Sequence, residues 1–497
     1  MSHTLSVLAL LAALLAGSAL APAAGAPALS APRAPLAAQD PTPAPDPAEE
    51  QLATALRPAF AGDIAANPDM PRYDLRLALD PAGRTLSGEV QIRYTNRSGA
   101  PLEQIALRLY PNFPRDAFGQ GGNVRMRLTA AAVDGQAVEP QLAARNTAAL
   151  LPLPEPLAPG NRVTLSVGFT ATVRPAGDRA WQLIAYYPML AVHDSSGWRL
   201  DVTTFADKVY IESAIYRATI SAPSSMQVLA SGSTVATRAT PGGTTEWEIV
   251  AGPVRDFAFV AGNLVPARAT AGEVAVNVWT ARGSRLDSGQ IARVAARALE
   301  GFERRFGPYP YRELDIHLLP GQFDGGDEHS GLILLTSDRA VDDGTRYVAA
   351  HEVAHQWWYA AVGNDIYHQP WLDEALAQYS GIIYAEDSAG SATARTDWER
   401  EVLRRYRGAV ADGDRPIGLG VADYGSFNVY YRTVYGKGPV FLQRLRAELG
   451  DEAFFGALQR YYADHRYGIG TTDAIKRAFE QASGRDLTDW FKQWVRP

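Results

Sequence analysis

The sequence predicts an α+β multidomain chain, with an N-terminal all-β saddle or sandwich domain followed by a mixed α/β domain. Three observations carry this reading. Between about Tyr73 and Val260, short runs of apolar residues alternate with polar ones at a period of two. Beyond Gly262, apolar residues recur at three- and four-residue spacing, the period of a helix with one buried face. The chain is 497 residues long with 46% hydrophobic residues, enough for two or three domains with real cores.

The N-terminus comes first. Leu5 to Leu15 is an apolar run of secretory-signal length, and Ala21-Pro22-Ala23 offers a small-x-small cleavage site. Residues 1–23 are therefore expected to be a signal peptide and the protein to be exported, to a periplasm or the exterior. The run is too short for a comfortable membrane span, and no later stretch reaches about 18 apolar residues. No stable membrane insertion is expected after cleavage. Residues 24–66 read as an Ala/Pro-rich linker, extended and stiff, with one short helix over Glu49 to Phe60.

The β domain is expected over 67–263. Tyr73, Leu75, Leu77 and Leu79 alternate with Asp74, Arg76 and Ala78, then Asp80-Pro81-Ala82-Gly83 turns the chain into Val90, Ile92 and Tyr94. This is a hairpin pattern. Val163 to Phe169, Ala214 to Ser221 and Thr245 to Val250 read as further strands. Asn96-Arg97-Ser98 matches a glycosylation sequon, which reads better as chance in a turn.

The second domain is expected over 264–497. Val274 to Thr280 and Leu314 to Leu319 read as strands, and Gly331 to Thr336 as a third. Ser284 to Phe306 reads as a helix with Ile291, Val294, Ala295, Ala298, Leu299 and Phe302 on one face, stopped by Gly307-Pro308. The remainder is mostly helical, apart from a Gly/Pro-containing stretch near 411–427.

Composition excludes some functions. The formal charge is 47 − 54 = −7. That disfavours nucleic acid or anionic lipid as partner, since both demand basic patches. There is no cysteine, so a metal site must be built from His and carboxylates, and an N-terminal lipid anchor through Cys is not expected.

One pentapeptide supplies such a site. His351-Glu352-Val353-Ala354-His355 is an HExxH motif in a segment, Arg346 to Val362, that reads as helix. Residues four apart share a helix face, so both imidazoles can reach one ion at about 2.0–2.1 Å. Glu352 points beside the ion, where a base can take a proton from water. Chance pairing is a weak rival, because the chain has only 8 His. A zinc hydrolase needs a third ligand and an open position. Eighteen residues after His355, Glu374 falls in a second predicted helix that begins with Pro370-Trp371 and can face the first. Asp373 competes for the role, although it lies nearer the helix start, where the dipole favours a carboxylate.

These residues resemble a known family. The HExxH pentapeptide followed after eighteen residues by Trp371-Leu372-Asp373-Glu374 is similar to the gluzincin aminopeptidases, the family of aminopeptidase N and leukotriene-A hydrolase. Gly325-Gly326-Asp327-Glu328-His329-Ser330-Gly331-Leu332-Ile333 resembles the family's GxMEN segment, and Tyr435-Gly436-Lys437-Gly438 its YEKG motif. The resemblance implies a thermolysin-like α/β zinc catalytic domain over 264–497. It implies one Zn²⁺ per chain on His351, His355 and Glu374, with Glu352 as general base and Tyr435 as donor to the oxyanion. It also implies that Gly325, Gly326 and Glu328 bind substrate, Glu328 through the free α-amine of a peptide.

The sequence departs from the family at several places. His329 stands where Asn is usual and Asp327 where Met is usual, which unsettles side-chain preference beside the expected first-residue pocket. Trp357-Trp358-Tyr359 replaces the usual Trp-Phe-Gly. The Gln or Glu that the β domain lends to the amine site has no clear counterpart, Gln182 being a weak candidate; Tyr430 is expected near the site or in packing. The chain ends at Pro497, after the segment Thr471 to Trp494, so the family's large helical C-terminal domain is expected to be missing and the cleft more open. The activity expected is removal of N-terminal residues from peptides with a free amine. The rivals are an endopeptidase or other hydrolase on the same zinc site, a non-catalytic peptide-binding scaffold, and, on composition alone, an adhesion module.

Overall fold

The computed structural model describes residues 47–496 except 115–124, 177–179, 204, 322–323 and 338–340. The expected signal peptide and most of the expected linker lie outside the described residues. The last part of that linker does not behave as one. Pro47–Ala53 is a helix, Pro58–Phe60 a single tight turn, and Leu52, Leu56, Phe60 and Ile64 are buried. Leu56 bridges Tyr311, and Arg57 N–H donates to the Pro310 carbonyl. The single helix expected over Glu49 to Phe60 is broken because Pro58 has no N–H and forces Arg57 into extended backbone, at φ −64° and ψ 151°.

The period-two pattern gives strands with alternating burial. Arg72–Asp80 and Thr85–Thr95 form the expected hairpin, with Leu79 opposite Leu86 and Asp80 opposite Thr85. Asp80 Oδ1 accepts from the N–H groups of Ala82 and Gly83 and so closes the turn. These strands belong to an eight-stranded sheet, joined by a four-stranded and a three-stranded sheet before residue 263. Asn96 is 1% exposed, and its amide donates to the carbonyls of Ala100 and Leu157. It locks the turn and is not presented for glycosylation.

A different sheet begins at Leu264. Its five strands run Leu264–Ala271, Val274–Ala281, Glu313–Pro320, Leu332–Ser337 and, at the edge, Gly325–His329. The three central strands are parallel, and the edge strand runs antiparallel to Leu332–Ser337. Helix Ser288–Phe306 starts where the Asp287 side chain caps Gln290 N–H, later than the expected Ser284, and buries the expected apolar face. Two helices, Asp343–Ala354 and Trp371–Ser388, pack side by side and carry the metal motif. The first ends earlier than the expected Val362. Nothing in the sequence breaks it. Instead the chain widens into turns in which Ala360, Ala361 and Val362 N–H reach back five residues, to His355, Gln356 and Trp357. The described residues cluster as one compact unit, so the β sheets and the helical part share contacts.

Candidate metal centre

His351 and His355 lie at the end of helix Asp343–Ala354, and Glu374 sits one turn into helix Trp371–Ser388. Asp342 caps the first helix through Gly344 and Thr345 N–H, while Pro370 starts the second. The two Nε2 atoms stand 3.0 Å apart, and Glu374 Oε2 lies 3.4 Å from one and 3.6 Å from the other. Zinc–ligand bonds of about 2.0–2.1 Å in a tetrahedron separate neighbouring ligand atoms by about 3.3 Å. The three atoms therefore fit one ion. Glu374 Oε2 is also buried without a hydrogen-bond partner, and two imidazole lone pairs at this distance repel unless a cation or proton lies between them.

The electrostatics of Glu374 and His351 agree with that set. Burial opposes ionisation of Glu374, but the imidazoles of His351 and His355 beside it hold its carboxyl well below the usual range. Burial lowers the His351 pKa, which keeps it neutral as a ligand must be. Asp373 is resolved as well. Its Oδ1 lies 2.7 Å from His355 Nδ1, the ring nitrogen facing away from the triad, with the Trp358 carbonyl at 3.0 Å from the same nitrogen. Asp373 is thus a supporter that orients His355, the arrangement metal-binding imidazoles need.

Glu352 is 5% exposed, and its Oε2 is buried without a partner. Burial pushes its carboxyl up to about 8; a neighbouring divalent cation acts in the opposite sense. A Cβ at Gly326 would stand 2.1 Å from Glu352 Cδ. The glycine is therefore needed for the edge strand to lie against the base. Gly326→Ala is expected to displace the Glu352 carboxylate and cut kcat by about 10²-fold, the order of loss a misplacement of roughly 1 Å brings. Steady-state kinetics with zinc content checked by metal analysis tests this; an unchanged kcat contradicts it.

Glu328, 6% exposed, points from the same strand toward Glu352 and His355, with carboxylate oxygens and ring nitrogen all within 4.8 Å. Gly325, in the same strand as Glu328, pairs with Thr336 of the neighbouring strand. A residue that sequence reasoning missed joins them. Asp207, from an irregular loop of the β part, lies with Glu328 and Asp373 within 4.8 Å. Burial raises the pKa of Asp207 and of Glu328, and the neighbouring carboxylates raise both further. Such a cluster favours a cation at its centre. No motif surrounds Asp207, so only the fold could find it. Gln182 has its side-chain nitrogen 3.2 Å from His317 Nδ1.

Asp327 and His329 alternate with Glu328 and leave the other face of the strand. His329 Nδ1 is 2.6 Å from Asp256, and its Nε2 is 3.6 Å from Asp327. Burial disfavours its charge, yet Asp256 and Asp327 push its pKa up to about 10. Asp327, expected beside the first-residue pocket, lies 3.6 Å from His329 and also acts electrostatically on Asp207 and Glu352.

Tyr435 reaches the triad through a distortion. Between helices Phe427–Arg432 and Gly438–Leu449, residues Thr433–Lys437 form one widened π turn, a feature common at functional sites. The Tyr435 ring stacks 6.1 Å from that of His351. Burial and the Glu374 carboxylate push its hydroxyl well above the usual range, so it remains a proton donor. The flanking glycines have steric reasons. A Cβ at Gly436 would stand 2.5 Å from Tyr406 N, and one at Gly438 would stand 2.4 Å from Ala375 Cβ. Lys437 Nζ donates to the carbonyls of Asp414 and Arg415. Tyr430 packs 6.1 Å from Tyr435, and its buried hydroxyl has no partner.

A mixed sheet with its edge strand beside two helices thus brings together a His₂Glu set that fits one metal ion and an adjacent carboxylate base. Comparison with known proteins agrees. Residues 292–494 match the Peptidase family M1 domain. Aminopeptidase N of Streptomyces lividans is 28% identical over 228 residues, 42% of this chain and 26% of that protein. Aminopeptidase 2 of Candida albicans is 27% identical over 255 residues, 48% of this chain and 27% of that protein. The chain spans about a quarter of the length of these curated relatives. The crystal structure of M1 zinc metallopeptidase from Deinococcus radiodurans superposes with a TM-score of 0.64 at 22% identity, covering 86% of this chain and 93% of that one. A mutant of that metallopeptidase bound to a Tyr-Ser-Ala substrate matches with a TM-score of 0.62 at 21% identity, covering 86% and 94%. Residues 292–494 are thus similar to the peptidase family M1 domain, and the chain shares its fold with a two-domain M1 zinc metallopeptidase.

Proposed function

We propose that this protein is a zinc-dependent aminopeptidase that removes N-terminal residues from peptides. One observation carries the reading: the carboxylates of half-buried Asp207 and of buried Glu328 and Asp373 lie within 4.8 Å of one another, beside His355 of the metal triad. Burying three anions together is costly unless a cation joins them, and the α-ammonium of a peptide is such a cation. Because the cage sits beside the metal, a bound N-terminus places its own first carbonyl at the reacting position.

His351, His355 and Glu374 would hold one zinc ion, which supplies Lewis acidity toward the carbonyl and the attacking water. Glu352 takes the proton of that water and delivers it to the leaving amine. Tyr435 donates its hydroxyl to the carbonyl oxygen as negative charge develops there. Glu328, with Asp207 and Asp373, holds the ammonium throughout. Strand Gly325–His329 is the edge of its sheet, against which a peptide can align as a further strand. The apolar run at residues 5–15 supports export. Among the described residues no helix is long and apolar enough to cross a membrane.

The test is a panel of aminoacyl chromogenic substrates and matched peptides, free and N-acetylated, with and without a chelator. Free-amine substrates are expected to be cleaved and acetylated ones left intact. Chelation is expected to abolish turnover and zinc to restore it. Equal cleavage of free and acetylated peptides would favour an endopeptidase on the same triad and sink the aminopeptidase reading.

A further inference from the structure

Arg255 and Asp256 join the β strands Thr244–Val254 and Ala258–Gly262, and neither has a role in the reaction above. Arg255 is 2% exposed and makes no ion pair among the described residues. Its guanidinium instead donates to three carbonyls from three separate segments. Nε reaches Tyr359 at 3.2 Å, Nη1 reaches Ile211 at 3.2 Å, and Nη2 reaches Gly468 at 2.5 Å. Its backbone N–H donates to Ser330 Oγ. The Asp256 carboxylate accepts from Ser330 N–H and lies 2.6 Å from His329 Nδ1.

These attachments share a pattern. Tyr359 follows the metal helix by four residues from His355, and holds the unfavourable backbone φ of 152°. Ile211 closes the irregular loop that carries Asp207. His329 and Ser330 follow Glu328 directly. A buried cation is costly and is tolerated where a planar fork satisfies several acceptors at once. The fit is close on the remaining side too, since a Cβ at Gly363 would stand 2.4 Å from Arg255 Cζ.

We infer that Arg255 is a positioning residue that fixes the ammonium-binding carboxylates at their working distance from the metal triad, by tying the Asp207 loop to the turn after the metal helix while Asp256 beside it ties down the Glu328 strand. This rests on the aminopeptidase reading. The geometry also explains why the β part belongs to the active site: it delivers Asp207 and the clasp that registers it.

The test uses zinc-loaded protein and calorimetric binding of three hydroxamates. Leucine hydroxamate spans metal and amine cage, its N-acetyl derivative lacks the ammonium, and acetohydroxamate reaches the metal alone. Arg255→Lys keeps the charge but loses the fork; Gly363→Ala keeps every hydrogen-bonding group and pushes the guanidinium tip aside. Each variant is expected to weaken leucine hydroxamate about tenfold while acetohydroxamate binding is unchanged. Unchanged leucine hydroxamate binding in both variants would overturn the inference, as would an equal loss for leucine hydroxamate and acetohydroxamate. If wild-type protein binds leucine hydroxamate no better than the N-acetyl derivative, the aminopeptidase reading itself fails.

Discussion

Glu352→Gln is expected to keep one zinc ion per chain and to lose turnover by about 10²–10⁴-fold, the range a positioned general base contributes. The substitution is nearly isosteric. Glu352 lies under Gly326, where even one added carbon does not fit, and glutamine adds none. The edge strand and the three metal ligands therefore stay where they are. What disappears is the ability to take a proton. Removing a buried carboxylate that burial already disfavours as an anion is also expected to leave the melting temperature unchanged or higher. Metal analysis, thermal melting and kcat on one preparation check all three. A variant with kcat within a few-fold of wild type would remove Glu352 from the mechanism.

The features legible in the sequence are those set by local periodicity. His351 and His355 are four apart on a helix, so one motif fixed both ligands, and helix Trp371–Ser388 returned Glu374 to them. The hairpin at Arg72–Thr95 was readable because one face is buried and the other solvated. Features set by tertiary contact were not legible. Asp207 sits in a loop without regular structure and gains meaning only beside Glu328. The choice between Asp373 and Glu374 needed the direction of one helix face, which places Asp373 on the far nitrogen of His355. Good helix formers such as Ala360 and Ala361 extended the metal helix on paper, whereas Arg255 and the His355 ring take the carbonyls of Tyr359 and Trp358 and hold a turn there. Residues 47–66 looked like linker because large apolar residues are few among them, yet Leu52, Leu56, Phe60 and Ile64 are buried.

Tyr435→Phe is the sharper test of the reaction itself, because it removes one hydrogen-bond donor and leaves the ring. Stacking on His351 at 6.1 Å and packing on Tyr431 at 4.8 Å involve the ring, so the π turn and its glycine contacts are preserved. The hydroxyl is held protonated by burial and by Glu374, and its donation gains strength only as the carbonyl oxygen becomes anionic. Its loss is therefore expected in kcat and not in KM. Loss of one such donor costs about 2.7–4 kcal/mol, or 10²–10³-fold. KM for an aminoacyl substrate should stay within about twofold, because Glu328, Asp207 and the metal ligands still define ground-state binding. A rise in KM with kcat retained would instead make Tyr435 a substrate-binding residue, and an unchanged kcat would leave the oxyanion without this donor and shift attention to the unpartnered hydroxyl of Tyr430 close by.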